Sequence, residues 1–148
     1  MKIAIVSGKD EGPSKLNAFD NALLKAGIGD VNLITVSSML KKETQVVELP
    51  ELEKGSMVNC VLSTLTSDKK GEKITSSIAV AIGENLGCVV ENSKVNCKSE
   101  DVVNEAIEMV KYMMNKREEP IKELIAKEET HIVENIGSVV ASVVYLEE

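Results

Sequence analysis

The sequence predicts an α+β fold, with packed β-sheets flanked by helices in an αββα-type sandwich. Apolar residues recur at helical spacing in separate segments, while β-branched, alternating runs fill much of the rest. The runs are grouped like antiparallel strands rather than alternating one for one with helices, which separates α+β from α/β. The chain has 148 residues, 43% of them hydrophobic, enough for one core and about the size of one domain.

Each element follows from its residues. Residues 2–7 (KIAIVS) read as a strand, and residues 10–15, rich in Gly, Pro and Ser, as a loop. Leu16, Phe19, Leu23 and Leu24 recur at helical spacing, so 16–26 is expected to be a helix, stopped by Gly27. Residues 31–36 (VNLITV) alternate and are β-branched, hence a strand. Residues 56–66 (SMVNCVLSTLT) form another, with a turn at 67–71. Residues 74–82 fit helix or strand. Gly83 and Gly87 bracket a turn before the short run 88–91. Over 100–117, Val102, Val103, Ala106, Ile107, Val110, Met113 and Met114 make one stripe, the clearest helix, with Ser99 as candidate cap. Pro120 is expected to interrupt it and start a second helical segment, 121–129. Residues 131–146 are strand-rich, broken at Gly137.

Composition excludes several function classes. A net charge of -7 and a pI near 4.9 would repel a phosphate backbone. The charge is uneven: residues 1–37 carry four lysines and four acids, and the rest carries 13 basic against 20 acidic residues. Aromatics are 2%, too few for a base-stacking platform. No apolar run approaches the roughly 20 residues that span a bilayer, and the start lacks a signal peptide's apolar stretch, so a cytoplasmic protein is expected. Cys60, Cys88 and Cys97 are odd in number without CxxC spacing, and His131 is the single histidine. Free, buried or half-buried thiols are expected, and no metal site.

One stretch carries chemistry: LNAFDNALLKAGIGDVNLITVSSML, residues 16–40. Its block NAFDNALLKAGIGDVNLI, the Ser37-Ser38 pair, GEKITSSIAVAI at 71–82 and the run from Cys88 to Glu91 resemble the pyruvoyl-dependent arginine decarboxylases. The ordered matches run through nearly the whole chain. Decarboxylation of an amino acid leaves electrons at Cα that need a sink. No lysine-plus-phosphate-loop pattern for pyridoxal phosphate is present. The resemblance implies a pyruvoyl group instead, made from the chain's own backbone, with no metal. The Ser38 hydroxyl attacks the Ser37 carbonyl, the ester is lost by β-elimination, and dehydroalanine at 38 hydrolyses to pyruvoyl and ammonia. Chains 1–37 and 38–148 result from one domain.

The same resemblance implies roles for other residues. Asn32 assists self-cleavage, its amide being a neutral donor for a developing oxyanion. Glu91 gives a proton to the substrate carbon once CO₂ has left. Its place at the end of an apolar run, Cys88-Val89-Val90, is one where desolvation would raise its pKa. Asp20 meets the substrate guanidinium with two parallel acceptors. Leu23, Gly29 and Val31 surround the substrate stem. The substrate is L-arginine, the product agmatine, and the assembly a homotrimer with interfacial sites. The chain departs from the family at Met39-Leu40-Lys41-Lys42, where relatives often carry prolines. Lys41 and Lys42 are expected to face solvent. That departure keeps two alternatives open: a pyruvoyl decarboxylase of another amino acid, and an unprocessed, non-catalytic relative acting as a regulatory or assembly subunit.

Overall fold

A computed structural model describes residues 1–146. The chain runs β1 (Lys2–Glu11), α1 (Lys15–Ala26), β2 (Asn32–Thr35), β3 (Met39–Lys41), β4 (Gln45–Val46), β5 (Met57–Ser67), β6 (Lys73–Ile82), β7 (Leu86–Val95), α2 (Ser99–Lys116), β8 (Glu123–Ile132) and β9 (Gly137–Leu146). One sheet has the order β2-β5-β9-β1-β4 and the other β3-β7-β6-β8. All pairings are antiparallel except β1 with β4 and β2 with β5.

Three apolar layers hold the sandwich together. Ile3, Val61, Ile78, Val80, Val89, Ala141 and Val143 pack between the sheets. Ala22, Leu23, Ala26, Val140 and Val144 join α1 to the outer face of the first sheet. Ala79, Ala81, Cys88, Ala106, Val110 and Met114 join α2 to the outer face of the second. The αββα expectation holds.

Local chemistry explains α1. The Ser14 side chain accepts from the Asn17 N–H at 3.1 Å, and Gly27, with φ of 85°, closes the helix in the left-handed conformation. The helix lies close on β1 because Gly8 has no Cβ; one added there would collide with the backbone of Ala22 and Ala26. β1 itself runs on to Glu11, through residues expected to be loop.

Two expectations fail. Residues 121–129 are not helical; β8 occupies this region, paired along its whole length with β6. β6 is buried at every position after Lys73, so it needs a strand on each side, and that need overrides the helix propensity of Glu, Lys, Leu and Ala. The Glu and Lys side chains of β8 protect what is an edge strand. Ser99 does not cap α2 either: it is the first helical residue, and Lys98 takes the cap position without a side-chain bond. The ambiguous 74–82 is strand. Cys60 and Cys88 are buried free thiols and Cys97 is half-buried.

Glu11 holds the turn between β8 and β9. Its carboxylate accepts the N–H groups of Asn135 at 2.8 Å, Ile136 at 3.1 Å and Glu134 at 3.2 Å, and meets His131 Nε2 at 2.6 Å. Burial pushes its pKa up, but these N–H groups and His131 outweigh that and hold it below the ordinary value. A lowered carboxylate pKa gives stability that is present above the unfolded value and lost as pH falls through the folded one. Glu11→Gln is expected to cost about 1–2 kcal/mol at pH 7, measured by urea unfolding, and to flatten the acid loss. Met114→Ala should cost about 2–5 kcal/mol, since Met114 is 0% exposed, while Tyr112→Ala, at 68% exposure, should cost under about 0.5.

Candidate active site

The chain crosses from one sheet to the other between β2 and β3, and it does so in a single residue. The Val36 N–H donates to the Cys60 carbonyl on β5 at 3.0 Å, so Val36 still belongs to the first sheet. The Ser38 carbonyl accepts from the Val89 N–H on β7 at 2.9 Å, so Ser38 already belongs to the second. Only Ser37 lies between them. The Ser38 N–H turns back to the Val36 carbonyl at 3.2 Å, closing a three-residue turn around Ser37. Ser38 sits at φ of +20°, a conformation that side-chain-bearing residues avoid. Such strain costs about 1–3 kcal/mol and persists only where the surroundings fix both ends, as the two sheets do here.

Glu91 stands beside this crossing. Met39 pairs with Cys88 across β3 and β7, and the Val89 N–H holds Ser38, so Glu91 lies two residues further along the same strand. Side chains two apart share a face. Val89 fills the space between the sheets, so Glu91 also aims at the gap. There a small pocket of about 300 Å³ is lined by Leu62, Ser63, Thr64, Glu91, Asn92 and Ser93. Glu91 is exposed as a residue, yet its carboxyl is desolvated by its surroundings and its pKa is raised. Cys60 completes the neighbourhood: burial raises its thiol, Ser142 bonds to it, and the nearby Glu91 charge raises it further.

This arrangement suits chemistry at Ser38. Its hydroxyl sits on Cβ, and its nitrogen is bonded to the Ser37 carbonyl carbon. Its own carbonyl oxygen is held by a backbone N–H, the kind of donor that stabilises negative charge developing on oxygen.

The remaining expected residues lie elsewhere in the protomer. Asn32 opens β2, with its N–H on the Ser56 carbonyl at 2.8 Å and its side-chain amide donating to the Gly55 carbonyl at 3.0 Å. The strand β2 and the turn at Ser37 separate it from Ser38 along the chain. Asp20 is exposed on α1, outside the first sheet. Leu23 is buried beneath that helix. Gly29 and Val31 line a cleft of about 660 Å³, with Leu24, Asp30, Glu51 and Glu53 among its other walls. Lys41 and Lys42 are exposed, as expected. The structure thus joins Ser37, Ser38 and Glu91 and leaves Asn32, Asp20, Leu23, Gly29 and Val31 apart from them within one chain. Sequence reasoning missed Val89, which acts through its backbone, and Tyr145, whose hydroxyl donates to the Met39 carbonyl at 2.8 Å.

The family model "Pyruvoyl-dependent arginine decarboxylase" matches residues 2–148. A protein of that name from Methanothermobacter thermautotrophicus is 61% identical over 147 residues, covering 99% of this chain and 97% of the relative. One from Methanococcus aeolicus is 39% identical over 146 residues, covering 95% and 87%. Among solved structures, a pyruvoyl-dependent histidine decarboxylase at pH 8 matches with a TM-score of 0.55 at 15% identity. That match covers 66% of this chain and 54% of the other, and at such identity it supports the fold alone. With the sandwich, the Ser37–Ser38 crossing and these matches together, the chain belongs to the pyruvoyl-dependent arginine decarboxylase family.

Proposed function

We propose that this chain is a cytoplasmic enzyme that cleaves itself between Ser37 and Ser38, turns Ser38 into a pyruvoyl group, and decarboxylates L-arginine to agmatine and CO₂. The observation that supports it most is the one-residue crossing, with Ser38 strained at its far side. In the first step the Ser38 Oγ bonds to the Ser37 carbonyl carbon while the Ser37–Ser38 amide bond breaks, and the freed Ser38 nitrogen takes the proton. In the second, loss of the Ser38 Cα proton expels Ser37 as a carboxylate. As that proton leaves, and before the carboxylate departs, charge builds on the Ser38 carbonyl oxygen, where the Val89 N–H waits. Water finally replaces nitrogen at position 38 and ammonia leaves.

The residues present fit a pyruvoyl group at 38: a serine supplies its carbons, and the oxygen of the neighbouring carbonyl already has its donor. The group supplies the sink for the electrons left when CO₂ departs. Val89 keeps the carbonyl oriented. Glu91, whose pKa is raised by desolvation in the gap, delivers a proton to the substrate Cα. The pieces stay assembled after cleavage because β1 pairs with β9 over ten positions, from Lys2 with Leu146 to Glu11 with Gly137.

Gly29 and Val31 line a cleft before the start of β2, whereas Ser38 lies beyond its far end. The reading is therefore completed by a homotrimer. Asp20, Gly29, Val31 and Asn32 of one protomer serve Ser38 of its neighbour, and Leu23 supports α1 from beneath. Asp20 takes the guanidinium.

Agmatine and CO₂ release from arginine, lysine and ornithine tests the substrate; only arginine should turn over well. Turnover of lysine or ornithine instead would favour the other-substrate alternative, and an uncleaved, inert chain the non-catalytic one. Glu91→Gln should cleave normally but lose about 10²-fold or more in kcat. A proton donor with a raised pKa works below that pKa, so wild-type kcat should fall as pH rises through it, and Glu91→Gln should lack that limb. Asp20→Asn should raise KM about 10- to 100-fold with cleavage unchanged. A normal KM would remove Asp20 from the site.

A further inference from the structure

Tyr145 lies on β9, in the first sheet, opposite Ile3 of β1. Its ring packs against the apolar layer between the sheets. Its hydroxyl crosses that layer and donates to the Met39 carbonyl on β3, in the second sheet, at 2.8 Å. The bond therefore spans the same gap that the chain spans at Ser37. Met39 follows Ser38 directly, and β3 is an edge strand only three residues long, paired with β7 alone. Three contacts thus fix the turn: Val36 on Cys60, Ser38 on Val89, and Met39 on Tyr145. The first two are backbone bonds. The third is the one supplied by a side chain, and the one that ties the downstream half of the turn to the upstream sheet.

We propose that Tyr145 is a positioning residue for self-processing: its hydroxyl holds the Met39 carbonyl so that Ser38 cannot relax out of the strained turn before it attacks Ser37. This rests on the reading that the chain is cleaved at Ser37–Ser38. A short edge strand held at one side only could shift along β7 or twist outward, and Ser38 would then drop to an ordinary negative φ. The bond from Tyr145 closes that route. After cleavage it remains as a tie across the gap, now without the covalent link, and keeps the new end of the 38–148 chain next to Val89. The titratable groups that bear on Tyr145 are the thiols of Cys60 on β5 and Cys88 on β7. Burial first, then these thiols, push its pKa up to about 12, so the hydroxyl stays a donor across the physiological range.

The test follows the conversion of freshly synthesised chain into its two fragments by mass spectrometry. Tyr145→Phe removes only the donor and should slow cleavage about tenfold or more. Tyr112→Phe, on the exposed face of α2, should cleave at the wild-type rate. Placing 3,5-difluorotyrosine at 145 keeps the ring and the fold but makes the phenol more acidic. Its cleavage should fall as pH rises through the lowered pKa, where the wild type does not change. A role in packing alone would leave the two pH profiles parallel. Tyr145→Phe cleaving at the wild-type rate, or a fluorinated profile parallel to wild type, would overturn the inference. A wild-type chain that never cleaves would instead overturn the reading beneath it.

Discussion

A single residue, Ser37, carries the backbone from one sheet of the sandwich to the other, and the site depends on that constraint. Neither neighbour is free to relieve it. Val36 is bonded into the first sheet and Ser38 into the second. The sheets are themselves locked by an apolar layer that includes Ile3, Val61, Ile78, Val89 and Val143. Strain of about 1–3 kcal/mol at one residue is small beside what holds two such sheets together, so the fold can keep it. The same geometry makes the strain local: it falls on Ser38, next to the bond that the proposed self-cleavage breaks.

The two sheets divide the work. The second, through β7, provides both Val89 and Glu91, two residues apart on one face, so the donor to the Ser38 carbonyl and the desolvated carboxyl are set by one register. The first, through β5 and β9, provides Cys60 and Tyr145, which fix the two flanks of the turn. The cleft at Gly29 and Val31 sits at the opposite end of β2. This separation is the physical reason for reading the complete site as shared between protomers.

Much of the fold was legible because its signals are local. Gly27 marks the end of α1, and the stripe from Val102 to Met114 marks α2 without tertiary help. Residues 74–82 were ambiguous because β6 is buried on both faces and so shows no alternation. Residues 121–129 were misread because Glu, Lys, Leu and Ala favour a helix, while the partner that makes them a strand lies about 50 residues earlier in the chain. β3 and β4, at three and two residues, are too short to show any period. The site divides in the same way. Ser37, Ser38 and Glu91 came from the family resemblance, not from spacing, because residues 38 and 91 meet only through the pairing of β3 with β7. Val89 left no trace in sequence because a backbone N–H looks the same everywhere. Tyr145 was visible only as a rare aromatic.

The intact mass of the purified chain under denaturing conditions tests the central claim most directly. The account predicts two species near 4 and 12 kDa, for 37 and 111 of the 148 residues in 16.0 kDa, with the larger carrying a ketone in place of an amine at its start. A single species at 16.0 kDa that persists through warming and long incubation would contradict it.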